Sequence, residues 1–157
     1  METFVGLKRL KEKQNEQLLD FENWAKSGNW LAFHEAHYDW WMFPIDQPSR
    51  LGLMYTVSQF DIDNLKKDQK FMSNYLRGVE LLLLSWGWEL YEKSLISAPS
   101  EHQTWHNWPI RLSKCAQSLE LFGCEKEYQS VIEYGHYLLG LGTDFTFRKK
   151  DLSERFR

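Results

Sequence analysis

Apolar residues recur three and four positions apart along most of this chain, the mark of helices that bury one face. Leu7, Leu10, Leu18, Phe21 and Trp24 keep that spacing over residues 7–25. Gln14 interrupts the stripe, and Ser27-Gly28-Asn29 ends it in turn chemistry. A short second helix is predicted over residues 30–41, with Asn29 as its cap and Trp30, Phe33, His37, Trp40 and Trp41 on one side. Phe43-Pro44 stops it, because the residue before a proline avoids the helical region. Residues 44–52 read as a structured loop.

The strongest pattern spans residues 58–91. Ser58 and Asp61 have the spacing of a capping box. Ile62, Leu65, Met72, Leu76, Val79, Leu83 and Trp86 then hold the helical period, and Gln69 alone breaks it. The segment is predicted as one long axial helix, or as two with a joint near residues 67–69. Leu81 to Leu84 are apolar all round, which puts that half at the centre, and Gly78 is expected to let another helix approach closely. Residues 94–105 read as a loop. Asn107-Trp108-Pro109 opens the next helix, with Asn107 as its cap and Gly123 at its end. A last helix covers residues 125–139 and stops at Gly140 and Gly142. Phe145 and Phe147 are expected to lie across the bundle, and no alternation is long enough for a strand. The expected fold is an all-α single domain of about five to six helices around one long central helix. Residues 1–29 form its first helix and turn, 30–140 its core and 141–157 a polar tail.

Composition adds less. A chain near this length buries about 70% of the surface its unfolded form exposes, so it needs no covalent staples. Aromatics make up 16% of the residues, eight of them Trp, which favours a core or groove built on flat side chains. The net charge of −3 supplies no general positive field for phosphates, so nucleic acid is not an expected partner. Arg148, Lys149, Lys150, Arg155 and Arg157 read as a solvated end among acids. The apolar run Leu81–Trp88 is too short to cross a membrane, and the first residues lack an apolar signal core. With two cysteines in no framework spacing, a cytoplasmic protein is expected.

Candidate chemistry is sparse. His34, His37, Glu35 and Asp39 offer zinc-type ligands, but His-Glu-Ala-His lacks the four-residue spacing of the metalloprotease motif. The plainer reading has His37 supporting the Trp40–Trp41 end while His34 faces water. Glu133-x-x-His136 occurs once, where a di-iron site needs two such motifs. Cys115 and Cys124 lie on apolar faces with no histidine beside them. Trp86-Gly87-Trp88 either flanks a flat ligand or ends a buried helix. His106, Asn107 and Arg111 either converge with His37 on an anionic or polar group at a helix N-terminus, or serve as a cap and a surface ion pair. No cofactor is implied.

Two segments carry a family likeness. His37-Tyr38-Asp39-Trp40-Trp41-Met42-Phe43-Pro44-Ile45, followed by Ser49, resembles the His-x-Tyr-x-x-Trp-Leu-Phe-Pro-Leu signature of the opioid growth factor receptor conserved domain. His106-Asn107-Trp108-Pro109-Ile110-Arg111-Leu112, with Ser118-Leu119 and Gly123, resembles that family's His-Asn-x-x-Arg segment, reduced here to Arg111 and Lys114. The likeness covers about residues 30–140 and implies an all-α domain. Animal members bind an opioid peptide, but no family ligand residue maps onto this chain. The expected function is therefore a binding or interaction module for a small molecule, peptide or protein. Its expected ligand residues are His37, Trp41, His106, Asn107 and Arg111. The alternatives are a small metal-dependent or histidine-using enzyme on His34, His37 and His106, and a structural subunit that forms homo-oligomers through an aromatic patch.

Overall fold

Helices follow the predicted stripes and break where a polar side chain captures the backbone. The computed structural model describes residues 3–157. Helix α1 (Leu7–Ser27) ends as Gly28 and Asn29 return their N–H groups to Ala25 and Trp24. Gln14 does not interrupt its buried face. It is 1% exposed and donates from Nε2 to the Phe71 carbonyl at 3.1 Å, so it ties α1 to the helix that carries Phe71.

The predicted helix over 30–41 is two short ones, α2 (Trp30–Glu35) and α3 (Asp39–Met42). Ala36 between them is extended, at φ −78° and ψ 162°. The Phe33 and Ala36 carbonyls accept instead from Arg111, far along the chain. The segment over 58–91 is likewise divided, into α4 (Gln59–Lys66) and α5 (Gln69–Ser85). Ser58 and Asp61 form the capping box of α4, and Asp68 caps α5 by accepting from the Phe71 N–H at 3.0 Å. Gln69 breaks the stripe because it opens a new helix.

Helix α5 stops six residues earlier than the stripe suggests. Gly87 takes a φ of +83° and turns the chain into two-residue strands β1 (Trp88–Glu89) and β2 (Ser94–Leu95), with Trp88 opposite Leu95. Helix α6 (Pro109–Leu121) begins at its proline. Asn107 is not its cap: it stands one residue too early, at φ +54°, and Trp108 holds the cap position without a side-chain bond. Helix α7 (Glu125–Gly140) is followed by strands β3 (Thr146–Phe147) and β4 (Lys150–Asp151) and a 3-10 turn over Glu154–Phe156.

Among the described residues the chain is therefore mostly helical, with seven α-helices and two small sheets. No described helix is long and apolar enough to cross a membrane. Helix α5 packs along α1, α6 packs along α7, and α3 touches both α1 and α6. Met42 of α3 reaches Gly78 of α5 so closely that a Cβ there would stand 2.7 Å from its Cε. Within residues 141–157, Phe147 is half-buried. Phe145 and Phe156 are buried edge to face, and Phe145 stacks on Trp105.

A basic, indole-walled concavity as the candidate site

The break between α2 and α3 creates a set of acceptors, and Arg111 of α6 fills it. Arg111 is 1% exposed. Its Nε donates to Asp39 at 2.6 Å, Nη1 to the Phe33 carbonyl at 2.7 Å and the Tyr38 hydroxyl at 3.0 Å, and Nη2 to the Ala36 carbonyl at 2.8 Å. Its guanidinium also lies over the Tyr38 and Trp108 rings. The planar, multidonor guanidinium suits such a set of acceptors, and an ammonium does not. The pair with Asp39 is buried, not the surface ion pair of the plainer sequence reading. It joins the two segments that carry the family likeness.

Above this node lies a half-open concavity of about 550 Å³. Trp40 and Trp108 wall it, with Ile45 and Ile110 beside them. Its polar lining comes from three separate places. Arg50 lies in the loop after α3, Lys114 stands one turn beyond Arg111 on α6, and Arg148 and Lys150 come from the β3–β4 hairpin. Arg111 and Asp39 form part of its floor, and Asp39 is the one carboxylate among its lining residues. Lys114 is half-buried, with its ammonium 5.2 Å from the Trp40 ring centroid. Burial lowers its pKa, Asp39 opposes that shift and Arg111 adds to it. A chain of net charge −3 thus gathers five cations around one cavity.

The residues expected at a site divide. His37 and Arg111 line the concavity, and the exposed His37 ring lies between Trp40 and Trp108 at centroid distances of 6.4 and 6.0 Å. Trp41 points elsewhere, donating from Nε1 to Gln17 at 3.2 Å beneath the Lys13 ammonium. His106 and Asn107 are exposed and outside the lining. The residues missed from sequence are Arg50, Lys114, Arg148 and Lys150. Lys114 alone carried a signal, since it stands three positions after Arg111 on one helix.

His34 is buried rather than facing water. Its Nε2 lies 2.7 Å from the His102 carbonyl and its ring stacks on His106 at 5.0 Å. His37 packs instead against the Trp40 and Trp108 rings. Among the described residues no three His, Cys, Asp or Glu side chains form a metal cluster. Glu133 pairs with Lys93, and His136 lies against the Phe156 carbonyl. Burial pushes the Cys115 thiol well up and that of Cys124 up to about 11, so neither is a thiolate at neutral pH.

Burial lowers the pKa of His34 below its ordinary 6.5, the His102 carbonyl opposes the shift, and the charges of His106, Arg111 and His102 add to it. The unfolded chain then binds the proton at a higher pH than the folded one. The stability from neutral His34 is fully present above about pH 6.5 and is lost as pH falls towards the folded value. Thermal melts at pH 7.5 and 5.5 are expected to show a smaller fall in Tm for His34→Gln than for the wild type. An equal fall would show that His34 does not titrate in this window.

The chain matches no family model, and neither a curated protein nor a solved structure shows significant similarity to it.

Proposed function

We propose that the chain is a single-domain cytoplasmic binding module, and that its ligand enters the concavity between Trp40 and Trp108. The observation that carries this reading is the convergence of two indoles and several cations on one cavity of ligand size. Small-molecule sites are concave and mostly apolar, with a few polar groups that orient the ligand. Relationship to the opioid growth factor receptor conserved domain belongs to the same proposal. Its support is that segments 37–45 and 106–112, which carry the likeness, both wall the cavity and meet through Asp39 and Arg111.

The test uses Trp40, which is half-buried and outside the core. A thermal-shift and fluorescence screen of small molecules and short peptides is expected to yield ligands that change the emission of the wild type. Trp40→Ala is expected to keep its helical circular dichroism, lose about 1 kcal/mol of stability and lose most of that response. Ligands that perturb both proteins equally would place binding elsewhere.

A further inference from the structure

We propose that the concavity takes a small phosphate-bearing molecule with a flat apolar body, of the nucleoside diphosphate class. This rests on the reading of the concavity as the binding site and names its ligand.

The first observation is how this chain uses its arginines. Arg9, Arg77, Arg111, Arg155 and Arg157 each pair with at least one carboxylate. Arg50 and Arg148 have no acidic partner among the described residues, and both line the concavity. Lys114 and Lys150, which join them there, have none either. Four cations with no carboxylate at ion-pair distance thus line one cavity, and a multiply charged anion gains from several of them at once. Phosphate oxygens match guanidinium forks and accept from several donors at once, which one carboxylate does less well.

The second observation is the hairpin that brings Arg148 and Lys150 to the rim. Arg148 and Lys149 form its two-residue loop at φ +50° and +67°. Loops of this length with positive φ at both positions favour Asn-Gly, because other side chains are strained there. Strain of this kind clusters at binding sites, where the side chain is needed more than the easy turn. Arg148 stands at such a position, over the Phe147 ring.

The third observation is the wall. Trp40 and Trp108, with Ile45 and Ile110, give a flat apolar group a surface beside the cations. The cavity holds about 550 Å³, the scale of one small ligand, so it fits a single nucleotide better than a strand of nucleic acid.

Calorimetry of the full chain with ADP, adenosine, pyrophosphate and an octathymidylate tests the assignment. ADP is expected to bind at least about tenfold more tightly than adenosine or pyrophosphate, with affinity falling as salt rises. Lys114→Gln is expected to weaken ADP at least about fivefold. The double substitution Arg148→Asn and Lys149→Gly is expected to do the same while keeping or raising Tm, because it relieves the turn. A merely structural hairpin would raise Tm and leave ADP affinity unchanged, which would overturn the proposal. Equal affinity for ADP and adenosine would overturn the anion and leave the binding module standing. Pyrophosphate binding as tightly as ADP would remove the flat body. Tighter binding of octathymidylate than of ADP would replace the nucleotide with a nucleic-acid strand. No response to any of the four overturns the ligand class, and the compound screen then decides the binding module separately.

Discussion

Arg111→Met is expected to lower the free energy of unfolding by about 3–5 kcal/mol, the cost of removing one partner from a buried ion pair. The substitution keeps much of the volume. It leaves the Asp39 carboxylate, 7% exposed, without its ion-pair partner, and it removes the donor that the Phe33 and Ala36 carbonyls share. Phe33 keeps the Tyr38 hydroxyl as a donor, whereas the Ala36 carbonyl, beyond the end of α2 at Glu35, loses the guanidinium with no local N–H to replace it. Arg111→Lys is expected to recover only part of the loss, since one ammonium does not reproduce the bonds to Asp39, Tyr38 and two carbonyls. Adding Asp39→Leu to Arg111→Met removes the stranded charge but not the stranded Ala36 carbonyl, and is expected to recover part as well. Urea denaturation with a constant m-value measures each step. A loss under about 1 kcal/mol for Arg111→Met would show that the node does not hold α2 and α3 to α6.

Gly87→Ala is expected to cost about 2–4 kcal/mol, from a left-handed backbone and an occupied space together. At φ +83° a side chain is strained, and a Cβ would stand 2.8 Å from the Gln103 carbonyl oxygen. That carbonyl has little freedom to retreat, because the Gln103 side chain is anchored to the Leu84 carbonyl at 3.0 Å and to the Ser100 N–H at 3.0 Å. Gly28→Ala provides the control: its φ is +71°, but nothing lies within 4 Å of the added carbon. It is expected to cost only about 1 kcal/mol. Chemical denaturation of both variants separates backbone strain from crowding. Equal losses would show that the 94–105 loop yields freely and does not clamp the end of α5.

The helices were legible because burial imposes a period, and the structure departs from that period at identifiable polar groups. Gln14 and Gln69 both sit where the stripe expects an apolar residue. One is buried against the Phe71 carbonyl and the other opens a helix capped by Asp68. Sequence spacing does not distinguish these, because the deciding bond in the first case joins residues 57 positions apart. Arg111 stands four residues before Cys115 and eight before Leu119, so its place on the buried stripe was readable. Its partner was not, since Asp39 lies 72 residues away at the break between α2 and α3.

The concavity was the least legible feature. Net charge averages over the chain and conceals a local gathering of Arg50, Lys114, Arg148 and Lys150 from three elements. The hairpin that delivers two of them has strands of two residues, too short for alternation to register. Its Arg148-Lys149 loop also lacks the Asn-Gly chemistry that announces such turns. His106 and Asn107 immediately precede the helix start, but from that segment the concavity takes Trp108, Ile110 and Arg111.

The most direct measurement is a two-dimensional NMR spectrum of the eight tryptophan indole N–H groups during titration with ADP. The largest shifts are expected at Trp40 and Trp108, the two indoles that line the cavity, with Trp86, Trp88 and Trp105 unmoved. Lys114→Gln is expected to move the midpoint to higher ADP without changing which signals respond. Shifts confined to Trp86, Trp88 or Trp105, or a spectrum that ADP leaves unchanged, would contradict a nucleotide site between Trp40 and Trp108.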